Sequence, residues 1–205
     1  MGQIVLPLQL GPGGTPSRIV VGTANAAAVE ALSQPANWPF RTAVLFAPAR
    51  AGKSLLARWF VESGLGDAVD DADRADETDL FHRWNRAQER GVPLLLTASG
   101  EDGGWRIALP DLASRLGAAL HLSIGVPDDA MIAELIAVHA ESRGLALGLD
   151  GAAYLATRCE RSHLAVERLV GTVDRLSLER KVAPGPAIWR EALEVLAGPS
   201  EPKLL

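Results

Sequence analysis

The chain has 205 residues, 48% of them hydrophobic and 22% charged, with a formal net charge of -5; this length suits one α/β domain or a core with a small appendage. The negative balance argues against a protein that coats nucleic acid through a broad basic face, which needs clustered Lys and Arg. A single cysteine, Cys159, excludes an internal disulfide and a thiolate zinc cage and fits a reducing cytoplasm, while no apolar run approaches the ~20 residues that span a bilayer.

QIVLPL, residues 3–8, is a stiff apolar peptide whose pattern leaves three readings open: a first strand, a trimmed leader or a docking peptide. GPGGTPS, residues 11–17, is dense in Gly and Pro and separates it from the first regular element, which predicts a free peptide. ANAAAVEAL (24–32) predicts a helix and residues 33–39 a loop. Ala43 to Phe46 form a short β-type run that meets a turn and then a helix carrying Leu55, Leu56, Trp59 and Phe60. After the acidic DAVDDAD (67–73), Thr78 to Arg90 read as an amphipathic helix and Val92 to Thr97 as a buried strand. Leu109 to Leu116 form a short helix opened by Pro110 and Asp111, followed by the apolar strand HLSIGV (121–126). From Pro127 onward the pattern is helical throughout, with capping residues and short connections. The expected fold is α/β, a parallel sheet covered by helices and followed by a small α-helical subdomain. The expected division is a peptide at 1–12, a core at 13–126 and a helical subdomain at 127–205.

APARAGKS, Ala47 to Ser54, lies between strand and helix, the context in which a G-x-x-x-x-G-K-[ST] phosphate loop works. Backbone N–H groups point at phosphate, the Lys neutralises the β and γ oxygens, the hydroxyl holds Mg²⁺, and the helix N-terminus adds a favourable dipole. The candidate nucleotide-binding residues are therefore Ala49, Arg50, Ala51, Gly52, Lys53, Ser54 and Leu55, for ATP or ADP with Mg²⁺. Ala47 stands where the motif has its first Gly, and a left-handed backbone at a non-Gly residue such as Arg50 costs on the order of 1 kcal/mol. The plain alternative is an ordinary helix start with a solvated Lys.

Val69-Asp70-Asp71 falls where a Walker B element would lie, Asp70 for the metal with Ser54 and Asp71 to polarise water; a solvated acidic turn is the competing reading. Thr97, at the tip of its strand, suits a γ-phosphate sensor or a turn cap. Arg115 suits an arginine finger toward a neighbouring subunit or a surface position. In the helical subdomain Arg168, or alternatively Arg161, is the candidate second sensor, although helical Arg residues are commonly solvated. His82, His121, His139 and His163 have no metal-ligand spacing.

Taken together, NAAAVEAL, WPF, AGKSLLARW, VDDADR, ERGVPLLLTAS and LPDLASRL resemble the DnaA family of AAA+ ATPases, most closely its short Hda-type regulators. The resemblance spans nearly the whole chain. It implies an AAA+ P-loop core with a helical lid, and an N-terminal peptide in which Gln3, Leu6, Pro7 and Leu8 dock on the DNA polymerase sliding clamp. It implies regulatory inactivation of DnaA: Arg115 would complete the nucleotide site of ATP-bound DnaA and promote its hydrolysis, with ADP favoured as the chain's own ligand. Self-hydrolysis is expected to be weak. Further expectations are a cytoplasmic protein able to self-associate, with no membrane contact and no sequence-specific DNA reading. The rivals are a nucleotide-independent DnaA-like adaptor and a free-standing P-loop ATPase.

Overall fold

The computed structural model describes residues 5–7, 18–100 and 104–197. In chain order the elements are β1 (Val5–Pro7), β2 (Arg18–Val20), α1 (Ala26–Leu32), β3 (Thr42–Ala47), α2 (Lys53–Glu62), β4 (Asp67–Val69), α3 (Glu77–Arg90), β5 (Leu94–Ser99), α4 (Pro110–Gly117) and β6 (Leu120–Ser123). Four helices follow: α5 (Asp129–Ser142), α6 (Leu149–Ala156), α7 (His163–Arg180) and α8 (Pro186–Ala197). The chain divides into two compact units, Thr23–Gly125 and a second made of Met1–Gly22 with Val126–Leu205.

The first unit is built on a four-stranded sheet in the order β4-β5-β3-β6, and all three pairings are parallel. Every residue of β3 is buried, as expected of a parallel strand covered on both faces. Strand alternation sends Val44, Phe46, Leu94, Leu96 and Ala98 to the face packed by Leu80, Ala87, Leu112 and Leu116 of α3 and α4. Ala43, Leu45 and Leu95 take the opposite face, and α2 contacts β3, β4 and β5. Asp76 caps α3 by accepting from the Thr78 and Asp79 N–H groups at 2.9 and 3.0 Å. Gly91, with φ 65°, ends that helix. Gly66 permits a close approach: a Cβ there would sit 2.4 Å from the Pro93 carbonyl oxygen. That contact line also brings Asp67 N–H to Pro93 O at 2.9 Å, which starts β4.

The second unit is helical. Ile132 and Ile136 of α5, Leu155 of α6, Val166, Leu169, Val170 and Val173 of α7, and Ile188 of α8 form its core. Asp128 caps α5 through Met131 N–H at 2.8 Å, and Ser162 caps α7 through Ala165 N–H at 3.1 Å. β2 packs on α5, and Arg18 pairs with Glu141 at 3.4 Å.

The free peptide expected ahead of the first domain is corrected for part of its length. Val5–Pro7 pair antiparallel with Arg18–Val20, in the register Val5↔Val20, Leu6↔Ile19 and Pro7↔Arg18. Pro7 occupies the last pair, where the missing N–H costs least. The Gly- and Pro-rich stretch thus falls between two strands, but residues 11–17, with Gln3 and Leu8, lie outside the described residues. Among the described residues no helix is long and apolar enough to cross a membrane.

Candidate functional site

Three strand ends meet at one edge of the sheet, where β3 has later strands on both sides. Such C-terminal edges are where open α/β sheets place ligands. From β3 the chain turns through Pro48 to Gly52 and enters α2 at Lys53. Two residues of the turn take left-handed backbone, Arg50 with φ 66° and Gly52 with φ 88°. The expected strain at Arg50 is therefore present, while a Cβ at Gly52 would meet nothing within 4 Å, so the turn has open space on that side. No side chain caps α2. Its first N–H groups are left for a partner from outside the helix, and the dipole favours an anion there.

Lys53 is buried, only 7% exposed. Its Nζ donates to Ala47 O at 3.1 Å and to Pro48 O at 3.3 Å. An ammonium has three donors, so the two carbonyls fix its position and leave one N–H for a phosphate oxygen. Ala47 O also accepts the Gly100 N–H at 3.1 Å, tying the loop to the end of β5. Ala51 is buried under the turn, and Ala49, Arg50 and Ser54 are exposed, with Leu55 partly covered.

Thr97 lies one strand away, fully buried in β5. Its hydroxyl donates to Asp70 Oδ1 at 2.6 Å and accepts the Asp71 N–H at 2.9 Å. One hydroxyl thereby organises the turn after β4, in which Asp71 adopts φ 48°. The structure brings together Thr97, Asp70 and Asp71, the residues that the sequence reading treated as sensor and Walker B. Asp71 also faces Arg74 at 3.9 Å. The donor set present, a Ser hydroxyl at the head of α2 and an oriented Asp70 carboxylate, has the hard-oxygen chemistry that Mg²⁺ takes.

Arg115 is not extended into solvent. Its guanidinium lies over the Phe81 ring at 4.2 Å and the Trp84 ring at 4.5 Å and bonds to Asn85 Oδ1. Cation–π contact with two rings and a fixed acceptor set its orientation. In the helical unit Arg161 is engaged with Asp129 at 2.9 Å, whereas Arg168 is exposed on α7 and no carboxylate among the described residues pairs with it.

Sequence reasoning missed Asn85, Phe81 and Trp84 as partners of Arg115, although their spacing on one helix face was readable. It also missed Glu77, whose carboxylate accepts the Ala108 and Leu109 N–H groups at 2.9 and 2.6 Å and so anchors the entry to α4. Asp73, inside the acidic run, buries an Oδ1 without a hydrogen-bond partner among the described residues.

No family model matches the sequence, and no curated protein matches it. Solved structures do match. Domain III of the Thermotoga maritima replication initiation protein DnaA superposes with a TM-score of 0.70 at 14% identity, covering 87% of this chain and 93% of that one. The Thermotoga maritima RuvB Holliday junction branch migration motor gives 0.61 at 18% identity, covering 86% of this chain and 70% of that one. AMPPCP-bound DnaA from Aquifex aeolicus gives 0.59 at 14% identity, covering 80% and 66%. The chain has the AAA+ P-loop fold of these proteins.

Proposed function

We propose that this protein is a DnaA-related regulator of replication initiation that binds a nucleotide at the Lys53 loop, docks on the DNA polymerase sliding clamp and promotes hydrolysis of DnaA-bound ATP. The observation that carries the nucleotide part is the pairing of two preset corners. Lys53 is held by Ala47 O and Pro48 O, and Thr97 orders Asp70 and Asp71. Both stand ready before any ligand arrives, which removes an ordering cost from binding. The ligand in this reading is ADP or ATP along Ala49 to Leu55, with Arg168 as the helical unit's contribution. Ser54 and Asp70 would hold Mg²⁺, which would supply charge neutralisation to the bound phosphates.

Arg115 acts in this reading outside its own chain. Phe81, Trp84 and Asn85 hold its guanidinium in one orientation, the state in which an arginine finger loses least entropy when it meets another subunit's phosphates. Clamp docking uses Gln3, Leu6, Pro7 and Leu8. Leu6 and Pro7 are paired with β2 over three residue pairs only, so release breaks a short ladder. A cytoplasmic setting, contact with ATP-bound DnaA through the AAA+ face, and a capacity to self-associate complete the reading.

The test is hydrolysis of DnaA-bound radiolabelled ATP, with and without clamp loaded on DNA. The chain plus loaded clamp should convert ATP to ADP, Arg115→Ala should abolish the conversion, and Gln3→Ala with Leu6→Ala should weaken clamp binding by about 30-fold, a loss of ~2 kcal/mol for an anchor and its polar partner. Brisk hydrolysis by the chain alone with indifference to the clamp contradicts the proposal.

A further inference from the structure

β4 is the outer strand of the parallel sheet, and its free edge opens into a pocket of about 310 Å³ lined by Val61, Asp67–Val69, Arg83, Arg86 and Arg90 among others. Asp67 N–H points inward to Pro93 O, so alternation along the strand turns the N–H and C=O of Ala68 to the open side. Above that edge α3 presents three arginines, all exposed. Arg90 faces Asp67 at 3.9 Å. Arg83 and Arg86 have no carboxylate partner among the described residues. Val61, 46% exposed, supplies an apolar floor on the other side of the edge.

We propose that this edge receives an extended acidic segment of a partner protein as an added strand. A strand that joins β4 gains the Ala68 N–H and C=O, the means by which open edges bind peptides. Since β4 has only three residues, the backbone contribution is small and side chains must supply the rest. Arg83 and Arg90 are seven residues apart, ~10 Å along the helix, and alternate residues of a strand recur every ~7 Å. Two or three carboxylates on one face of the added strand therefore reach the guanidiniums, while a residue on the other face rests on Val61. The net charge of -5 disfavours an acidic chain over the surface as a whole, which gives clustered arginines beside an open strand edge more weight in selecting where it docks. A nucleic-acid backbone would meet the same guanidiniums but has no use for the peptide groups of Ala68. Arginines can also guard an edge against pairing, and the test separates the two.

The full chain, labelled with nitrogen-15, is titrated with a pool of decapeptides that has Glu fixed at every second position, and the Ala68 amide and Arg83 side-chain signals are followed. Both signals should move and saturate. Arg83→Gln with Arg86→Gln, exposed positions that leave the core untouched, should weaken binding at least 10-fold, as should backbone N-methylation of the peptides, whereas Lys-for-Glu peptides should not bind. Equal binding by N-methylated peptides, tighter binding of a ten-nucleotide single strand, or no response to the Arg substitutions overturns the proposal. So does self-association of the doubly substituted chain in sedimentation when the wild type binds no peptide, which would make the arginines guards.

Discussion

The two units bury polar groups in opposite ways. In the α/β unit Lys53 is 7% exposed and directs its amine to two loop carbonyls, and Thr97 is fully buried with its hydroxyl bonded on both sides. The helical unit buries His163, also 7% exposed, but burial first and the nearby His139 second push its pKa down to about 4. Its imidazole is therefore neutral at neutral pH. Lys53 and Thr97 are thus held in place by partners near strand ends, whereas at His163 burial suppresses the charge. A buried polar group is tolerated in the first case by hydrogen bonding and in the second by loss of its charge.

The largest way to press on this contrast is in the helical core. Leu155 is fully buried, and Leu155→Ala should cost about 4 kcal/mol in urea unfolding, with nucleotide affinity of the folded protein little changed. Next comes pH. Because the folded pKa of His163 lies below its ordinary 6.5, the unfolded chain binds the extra proton: stability is intact above about pH 6.5 and falls as pH drops toward 4. The loss approaches ~3 kcal/mol for a fall of this size. His163→Gln should flatten the stability–pH curve in that window; an unchanged slope would mean that His163 is not the titrating group.

Smaller effects come from two crowded glycines and from the Thr97 hydroxyl. Gly66→Ala drives a Cβ against a backbone oxygen and the Phe60 ring, and should destabilise by about 2 kcal/mol in thermal melts. Gly151→Ala in α6 of the helical unit meets the side chains of Trp189 and Leu147 rather than backbone, so it should cost less. Thr97→Val removes the acceptor of Asp71 N–H and the donor to Asp70; about 1 kcal/mol of stability should go, with a larger proportional loss in any nucleotide-dependent activity.

Much of this was readable in advance because local pattern and burial agreed. β3, the Lys53 turn and α2 are a continuous apolar strand, a Gly-centred turn and an amphipathic helix, and Asp76 and Gly91 mark both ends of α3. β4 was hard to see because Gly64, Gly66 and Asp67 dilute its apolar run. Only the Pro93 carbonyl and the β5 edge make three residues a strand. The pairing of Val5–Pro7 with Arg18–Val20 was hidden for another reason: the partner strand lies beyond a Gly- and Pro-rich stretch that signals flexibility, and pairing across it is a tertiary choice. The aromatic seat of Arg115 also joins elements thirty residues apart in sequence, a distance over which no local periodicity carries information.

Whether the Lys53 turn works as a phosphate site is decided by calorimetric titration of the full chain with Mg·ADP. One nucleotide should bind per chain, and Lys53→Ala should lower the affinity by 10- to 100-fold, the worth of a charge-assisted contact, while the circular dichroism spectrum stays that of the wild type. Absent binding by the wild type, or equal binding by a folded Lys53→Ala variant, would contradict the account.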